Sequence, residues 1–140
     1  MNSLLENNFK EIRKKANLKL NNVFSLPESQ LPDLSVVEQA SSETTASFVA
    51  SIIGKVNVLA DLTAGLGVNT FLFSKCAATV YAVEINERRA EVLSHNLKIC
   101  GITNVRVIND NCIEWLKESD LKFDICFVDP SRREKKGKKV

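Results

Sequence analysis

Residues 61–67 read Asp-Leu-Thr-Ala-Gly-Leu-Gly, and Glu84 follows 17 positions after Gly67. Glycines at 65 and 67 take away side chains that would keep a ligand from the backbone, and a helix opening after such a loop presents unpaired N–H groups. The loop can therefore wrap a nucleotide-like ligand. A carboxylate at Glu84 can accept hydrogen bonds from both hydroxyls of a ribose. Asp110 and Asp129 complete a set of acidic residues that each follow an apolar run. The Gly65-Leu-Gly67-Val-Asn-Thr70 continuation lacks the third glycine of a dinucleotide fingerprint, which counts against NAD. An acidic Asp61 suits instead a ligand with an ammonium group nearby.

The elements that must hold these residues alternate in type. Strand-like runs at 56–60, 79–83, 104–108 and 123–128 are followed by a glycine loop with a helix at 68–75, a helix at 86–99, a short helix at 112–117, and Asp129-Pro130. Alternation of this kind predicts a parallel sheet with right-handed crossovers, and ligands of such sheets bind beyond the carboxyl ends of the strands. The first, second and fourth runs are apolar on both faces, as for strands covered by helices on both sides. Upstream, a helix at 4–16 leads into a connector, NNVFSLPESQLPDL at 21–34, that contains two prolines. Ser35 with Glu38 has capping-box spacing, and Ser41 and Ser42 before Glu43 offer a second helix start. A helix through Phe48, Val49, Ile52 and Ile53 stops at Gly54.

The pattern resembles class I S-adenosylmethionine (SAM) methyltransferases, which place an acidic residue and a glycine-rich loop after the first strand and an acidic residue after the second. The resemblance covers about residues 56–133. It implies that Asp61, Thr63, Ala64, Gly65 and Gly67 surround the methionine part of SAM. Glu84, with Ile85 beside it, would hold the ribose, and Asp110 with the Asn111 and Cys112 backbone would meet the adenine. Asp129 and Pro130 would border the methyl-transfer centre as catalytic residues. A narrower likeness is to a bacterial methyltransferase group that carries a THUMP-like domain after the catalytic fold. Its marks are EQASSETTA at 38–46, the D-L-T-x-G-x-G loop and D-P-x-R-R at 129–133. THUMP-type domains are associated with RNA, so this likeness points toward an RNA substrate. Ser131 and Arg132 stand where amino methyltransferases with a D-P-P-Y loop have a second proline and a base-stacking aromatic residue.

The resemblance also implies an α/β fold, a Rossmann-like parallel sheet in the order 3-2-1-4, preceded by a short helical segment. The expected division is an N-terminal helix and connector at 1–34, then a methyltransferase domain at 35–140 with a basic C-terminal tail. A complete class I sheet has seven strands, and four are found here. A C-terminal segment absent from this sequence, or a partner chain, is expected to complete the sheet. Two other functions stay open: a non-catalytic SAM-binding remnant or interaction module, and an NAD-dependent oxidoreductase fragment.

With 44% hydrophobic residues the 140-residue chain can bury a real core. No apolar run reaches membrane-spanning or signal-peptide length, so a cytoplasmic protein without membrane contact is expected. Cysteines at 76, 100, 112 and 126 show no close pair, which argues against a metal site and for buried reduced thiols. The net charge of +2 is uneven, because residues 1–20 and 131–140 are both basic and the middle is acidic. Basic ends permit RNA as a partner. His95 reads as a surface residue and Trp115 as a core anchor.

Overall fold

The computed structural model describes residues 3–130; Ser131–Arg133 and the rest of the basic stretch to 140 lie outside the described residues. Four helices come first, α1 (Ser3–Lys19), α2 (Asn21–Phe24), α3 (Leu34–Gln39) and α4 (Glu43–Ile53). Then follow β1 (Val56–Asp61), α5 (Val68–Phe73), β2 (Ala77–Val83), α6 (Glu87–Ile99), β3 (Val105–Ile108), α7 (Cys112–Glu118) and β4 (Ile125–Phe127). The strands form one parallel sheet ordered β3-β2-β1-β4, as expected, with Leu59 level with Val80 and Ile125, and Val80 level with Val105.

Alternation along the strands sorts their side chains onto two unlike faces. Leu59, Asp61, Val80 and Ala82 share one face by register and are all buried. Leu59 and Val80 pack with Phe73 of α5 and Val49 and Ile53 of α4, while Ala82 packs with Leu93 and Leu97 of α6. The other face carries Ala60, Leu62 and Val83 and packs against Trp115 and Leu116 of α7 and against Phe123. Trp115 is half-buried, with its ring 5.8 Å from Tyr81 and 5.6 Å from Phe123, so it shields the sheet rather than sitting inside a closed core.

Two expectations fail on this second face. Cys126 is exposed, not buried, and β4 is not covered on both sides. The register aligns Cys126 with Ala60, on the face where α7 is the one described helix, and Val128 just beyond is also exposed. The other three cysteines are half-buried; burial pushes the Cys76 and Cys100 thiols up, which keeps them protonated.

The connector proves more structured than its prolines suggest. It contains α2 and packs into the main core, where Leu20, Val23 and Phe24 join Val37, Phe71 and Leu93. Arg13 on α1 staples it: Nη1 donates to Phe24 O at 3.2 Å and to Ser29 Oγ at 2.9 Å, and Nη2 donates to Ser29 O at 3.1 Å. On the α6 side, Asn96 is buried and exchanges two hydrogen bonds with the Gln30 backbone, at 2.8 and 3.1 Å. His95 is half-buried rather than a free surface residue; its Nε2 lies 2.8 Å from Glu28 O, and since a carbonyl only accepts, Nε2 carries the hydrogen. The cap of α3 is Asp33, whose side chain accepts from Val36 N, so Ser35 lies inside the helix and not at its start. Of the two starts foreseen for α4, Ser42 is the one used, accepting from Thr45 N at 3.1 Å.

Replacing Arg13 with alanine strands the half-buried carbonyls it serves. A loss of about 2 kcal/mol in unfolding free energy is expected from urea titration, against a few tenths for the exposed Lys14→Ala.

Candidate functional site

The carboxyl ends of β1, β2, β3 and β4 open into a cavity of about 600 Å³, inside the range of small-molecule sites. Its position follows from topology: the crossovers after β1 and β2 both lie on the α5–α6 face, and β4 joins β1 from the other side. Strand order therefore reverses at β1, where open parallel sheets form their ligand crevice.

The backbone of the β1 loop is held at several points. Ala64 N donates to Val83 O at 3.0 Å, and Gly65 N donates to Glu84 Oε2 at 2.8 Å. Asn86 N donates to Glu84 Oε1 at 3.0 Å, so each carboxylate oxygen of the nearly buried Glu84 is oriented by one N–H and keeps a lone pair for a ligand. Asn109 Nδ2 donates to the carbonyls of Glu84 and Ile85 at 2.9 and 3.1 Å, which ties β3 to the same corner. Across the cavity, Asp129 N donates to Thr63 Oγ1 at 2.8 Å. The residues expected at the site from Thr63, Ala64, Gly65 and Gly67 through Glu84, Ile85, Asp110, Asn111 and Cys112 to Asp129 and Pro130 all line this one cavity.

Asp61 departs from expectation. It has no exposed surface and does not line the cavity; Thr70 Oγ1 donates to its Oδ2 at 2.7 Å and Thr63 N to its Oδ1 at 3.3 Å. The reason is a single residue of strand length: β1 runs through Asp61, so alternation with Leu59 turns this carboxylate onto the helix-covered face. Burial, with smaller contributions from Glu84 and Asp129, pushes its carboxyl up to about 6. Gly67 departs in its reason as well. A Cβ there would come within 2.4 Å of Leu93 Cδ1, and its φ is +95°, so this glycine is needed for packing against α6. At Gly65, with φ of +55°, the nearest atom to an added Cβ is Val36 Cγ2 at 3.4 Å.

Several lining residues escaped the sequence reading: Val36, Gln39 and Ser41 from the α3–α4 region, Asn69 of α5 and Arg89 of α6. The EQASSETTA stretch was visible as a motif, but its place over the strand ends depends on how α3 packs. Arg89 is the cation among the described lining residues, and it is engaged by Asp33: Nε and Nη2 donate to the two carboxylate oxygens at 2.7 and 2.9 Å. Glu84, Asp110 and Asp129 leave the cavity acidic. It suits a ligand with positive charge and ribose hydroxyls, and among the described residues it offers no uncommitted cation for a pyrophosphate. Among the described residues no group of three or more His, Cys, Asp or Glu could hold a metal ion.

Comparisons with known proteins agree with this fold. Residues 32–139 match the family described as conserved hypothetical protein 95. Ribosomal RNA small subunit methyltransferase D of Buchnera aphidicola from Acyrthosiphon pisum is 32% identical over 102 residues, 71% of this chain and 53% of that protein. Among solved structures, a Porphyromonas gingivalis protein assigned as a methyltransferase has a TM-score of 0.68 at 23% identity, covering 76% of this chain and 27% of its own. A Streptococcus mutans protein, also assigned as a methyltransferase and solved in complex with SAH, has a TM-score of 0.51 at 25% identity, covering 60% of this chain and 48% of its own. The fold is thus the class I methyltransferase α/β type. The chain spans from 19% to 53% of the length of the curated relatives it matches.

Two predictions follow from the loop. Gly67→Ala combines a left-handed backbone with a collision against buried Leu93, and should cost about 2 kcal/mol or more; Gly65→Ala should cost about 1 kcal/mol, both read from urea midpoints. For Asp61, a folded-state pKa above the ordinary 3.8 means that its protonated form favours the native state below pH 4 and that this advantage disappears as pH rises through about 6. The stability of the wild type minus that of Asp61→Asn should therefore fall by about 2 kcal/mol between pH 4 and pH 7. A difference that stays flat across that window contradicts the burial argument.

Proposed function

The chain belongs to the conserved hypothetical protein 95 family, and on that footing we infer that it forms the SAM-binding part of an RNA methyltransferase. The observation that carries this reading is the acidic cavity at the strand ends, in which Glu84, Asp110 and Asp129 meet no uncommitted cation among the described residues. A sulfonium and an ammonium are favoured there, whereas the pyrophosphate of NAD meets repulsion.

The residues present fit SAM. Glu84, held by Gly65 N and Asn86 N, would accept from the ribose hydroxyls. Asp110 and the backbone at Asn111 and Cys112, which border the same cavity, would flank the adenine. When bound, SAM supplies an activated methyl group, which leaves in an in-line displacement. The protein's part is to orient the acceptor and, where needed, to take a proton from it. Asp129 stands at the cavity rim, oriented by the Thr63 hydroxyl, and with Pro130 is the candidate to position the acceptor.

Support for RNA as the substrate comes from the name of the Buchnera relative and from the basic stretches at both ends of the sequence. No helix among the described residues is long and apolar enough to cross a membrane, in keeping with action on cytoplasmic RNA. The outer edge of β4, last in the order β3-β2-β1-β4, is where further strands, from this polypeptide or a partner chain, would pair.

Calorimetric titration tests the cofactor. SAM and SAH should bind and NAD should not, and Glu84→Gln should weaken SAH at least about tenfold while the circular dichroism spectrum stays unchanged. NAD binding without a response to SAM or SAH would sink this reading in favour of an oxidoreductase. Transfer of a labelled methyl group to ribosomal RNA separates an enzyme from a SAM-binding module that lacks catalysis.

A further inference from the structure

The N-terminal half of α1 overhangs the body of the protein, and residues 3–11 are all exposed. Ile12 and Ala16 seat the helix in the main core, and Leu5 and Phe9 continue the same face upstream at helical spacings of four and three. That half of the stripe is uncovered, with Leu5 52% exposed and Phe9 57%. Glu6 and Lys10, one helical turn apart, stand beside Phe9, and neither has a partner among the described residues. A second cavity, of about 270 Å³, lies at the other end of the helix beside Leu20. Its walls are Leu20, Val23 and Leu26 on one side and Phe71, Leu72 and Ile102 on the other. An apolar cavity of roughly 150 Å³ already holds a benzene ring, so this one can take a phenylalanine side chain. Glu43 and Lys75 border it, and they too lack partners among the described residues.

We propose that two copies of this chain associate through these surfaces, each placing its Phe9 in the second cavity of the other. An uncovered apolar side chain and an apolar hole of fitting size occur on one molecule, each beside two unpaired charges of opposite sign. Lys10 of one copy then meets Glu43 of the other, and Glu6 meets Lys75. A molecule cannot fill its own cavity. Phe9 and Leu20 lie 11 positions apart along one helical path, which separates them by about 16 Å at 1.5 Å per residue. Reciprocal insertion uses the same patches on both copies, so the contact closes as a two-fold dimer and not as a growing row. None of the residues that wall the second cavity lines the cavity at the strand ends, so association leaves that site open. Two contacts of this size suit a weak association that depends on concentration.

Sedimentation equilibrium of the 140-residue chain tests the exchange. The wild type should pass from monomer to dimer between about 10 μM and 1 mM. Phe9→Ala should weaken the dimer by about tenfold or more. Glu6→Lys and Lys75→Glu, both at exposed positions, should each weaken it about threefold, and the double variant should regain most of that loss, because its reversed charges again attract. Circular dichroism spectra matching the wild type show that the fold of each variant is intact. A wild type that stays monomeric at about 1 mM leaves the overhang and the cavity to other partners and overturns the proposal. So does a Phe9→Ala variant that dimerises as the wild type does, a double variant weaker than either single one, or growth into species larger than a dimer.

Discussion

The hydrogen bond from Thr70 Oγ1 to the buried Asp61 carboxylate, 2.7 Å long, joins the end of β1 to α5 and so sets the path of the loop between them. With Asp61 turned under the loop and Thr63 N drawn to its other oxygen, the chain arrives at Gly65 with its N–H in reach of Glu84. One buried carboxylate thereby orients a second that faces the cavity. Asp61 resists ionisation below about pH 6 because of its burial, and Glu84 and Asp129 add to the effect. A positively charged ligand would work in the opposite direction, favouring the ionised form by ordinary Coulomb attraction.

Around that corner the structure uses hydrogen bonds between elements far apart in sequence. Asn109 reaches back from β3 to the Glu84 carbonyl, and Asp129 N meets Thr63 from the end of β4. Asp33 has two roles, capping α3 through Val36 N and receiving Arg89 from α6; the guanidinium hydrogen bonds are the main cause holding its carboxyl below the usual carboxylate range. This pair turns the Nε and Nη2 of Arg89 toward Asp33, while its charge still acts on Glu84. The site is acidic because Glu84, Asp110 and Asp129 outnumber Arg89, the one cation among its described lining residues.

Much of the architecture was legible in order and type. Hydrophobic periodicity and turn residues located all four strands and the helices at α4, α5, α6 and α7, and alternation of strand with helix implied a parallel sheet. Errors gathered where a boundary or a packing partner decided the matter. Ending the first strand at 60 instead of 61 left Asp61 in the loop, although the alternation with Leu59 pointed it inward. Prolines and asparagines marked 21–34 as a connector, and nothing local indicated that Arg13 and Asn96 would hold it against the body of the protein. Apolar content suggested that β4 was covered on both faces, but coverage depends on which helices reach it.

Residue types in sequence order determined that acidic side chains follow each strand and that a glycine loop lies between the first strand and its helix. Those facts are local, because strand periodicity and backbone freedom act over a few residues. Tertiary structure alone decided which carboxylates face the cavity, which one is buried as support, and that Ser41 and Asn69, 28 positions apart, stand together on its wall. Direction in space is set by packing against partners distant in the chain, and no spacing rule carries it. Glu84 and Asp61 have the same chemistry in the sequence and both are buried, and only the direction each faces gives them different work.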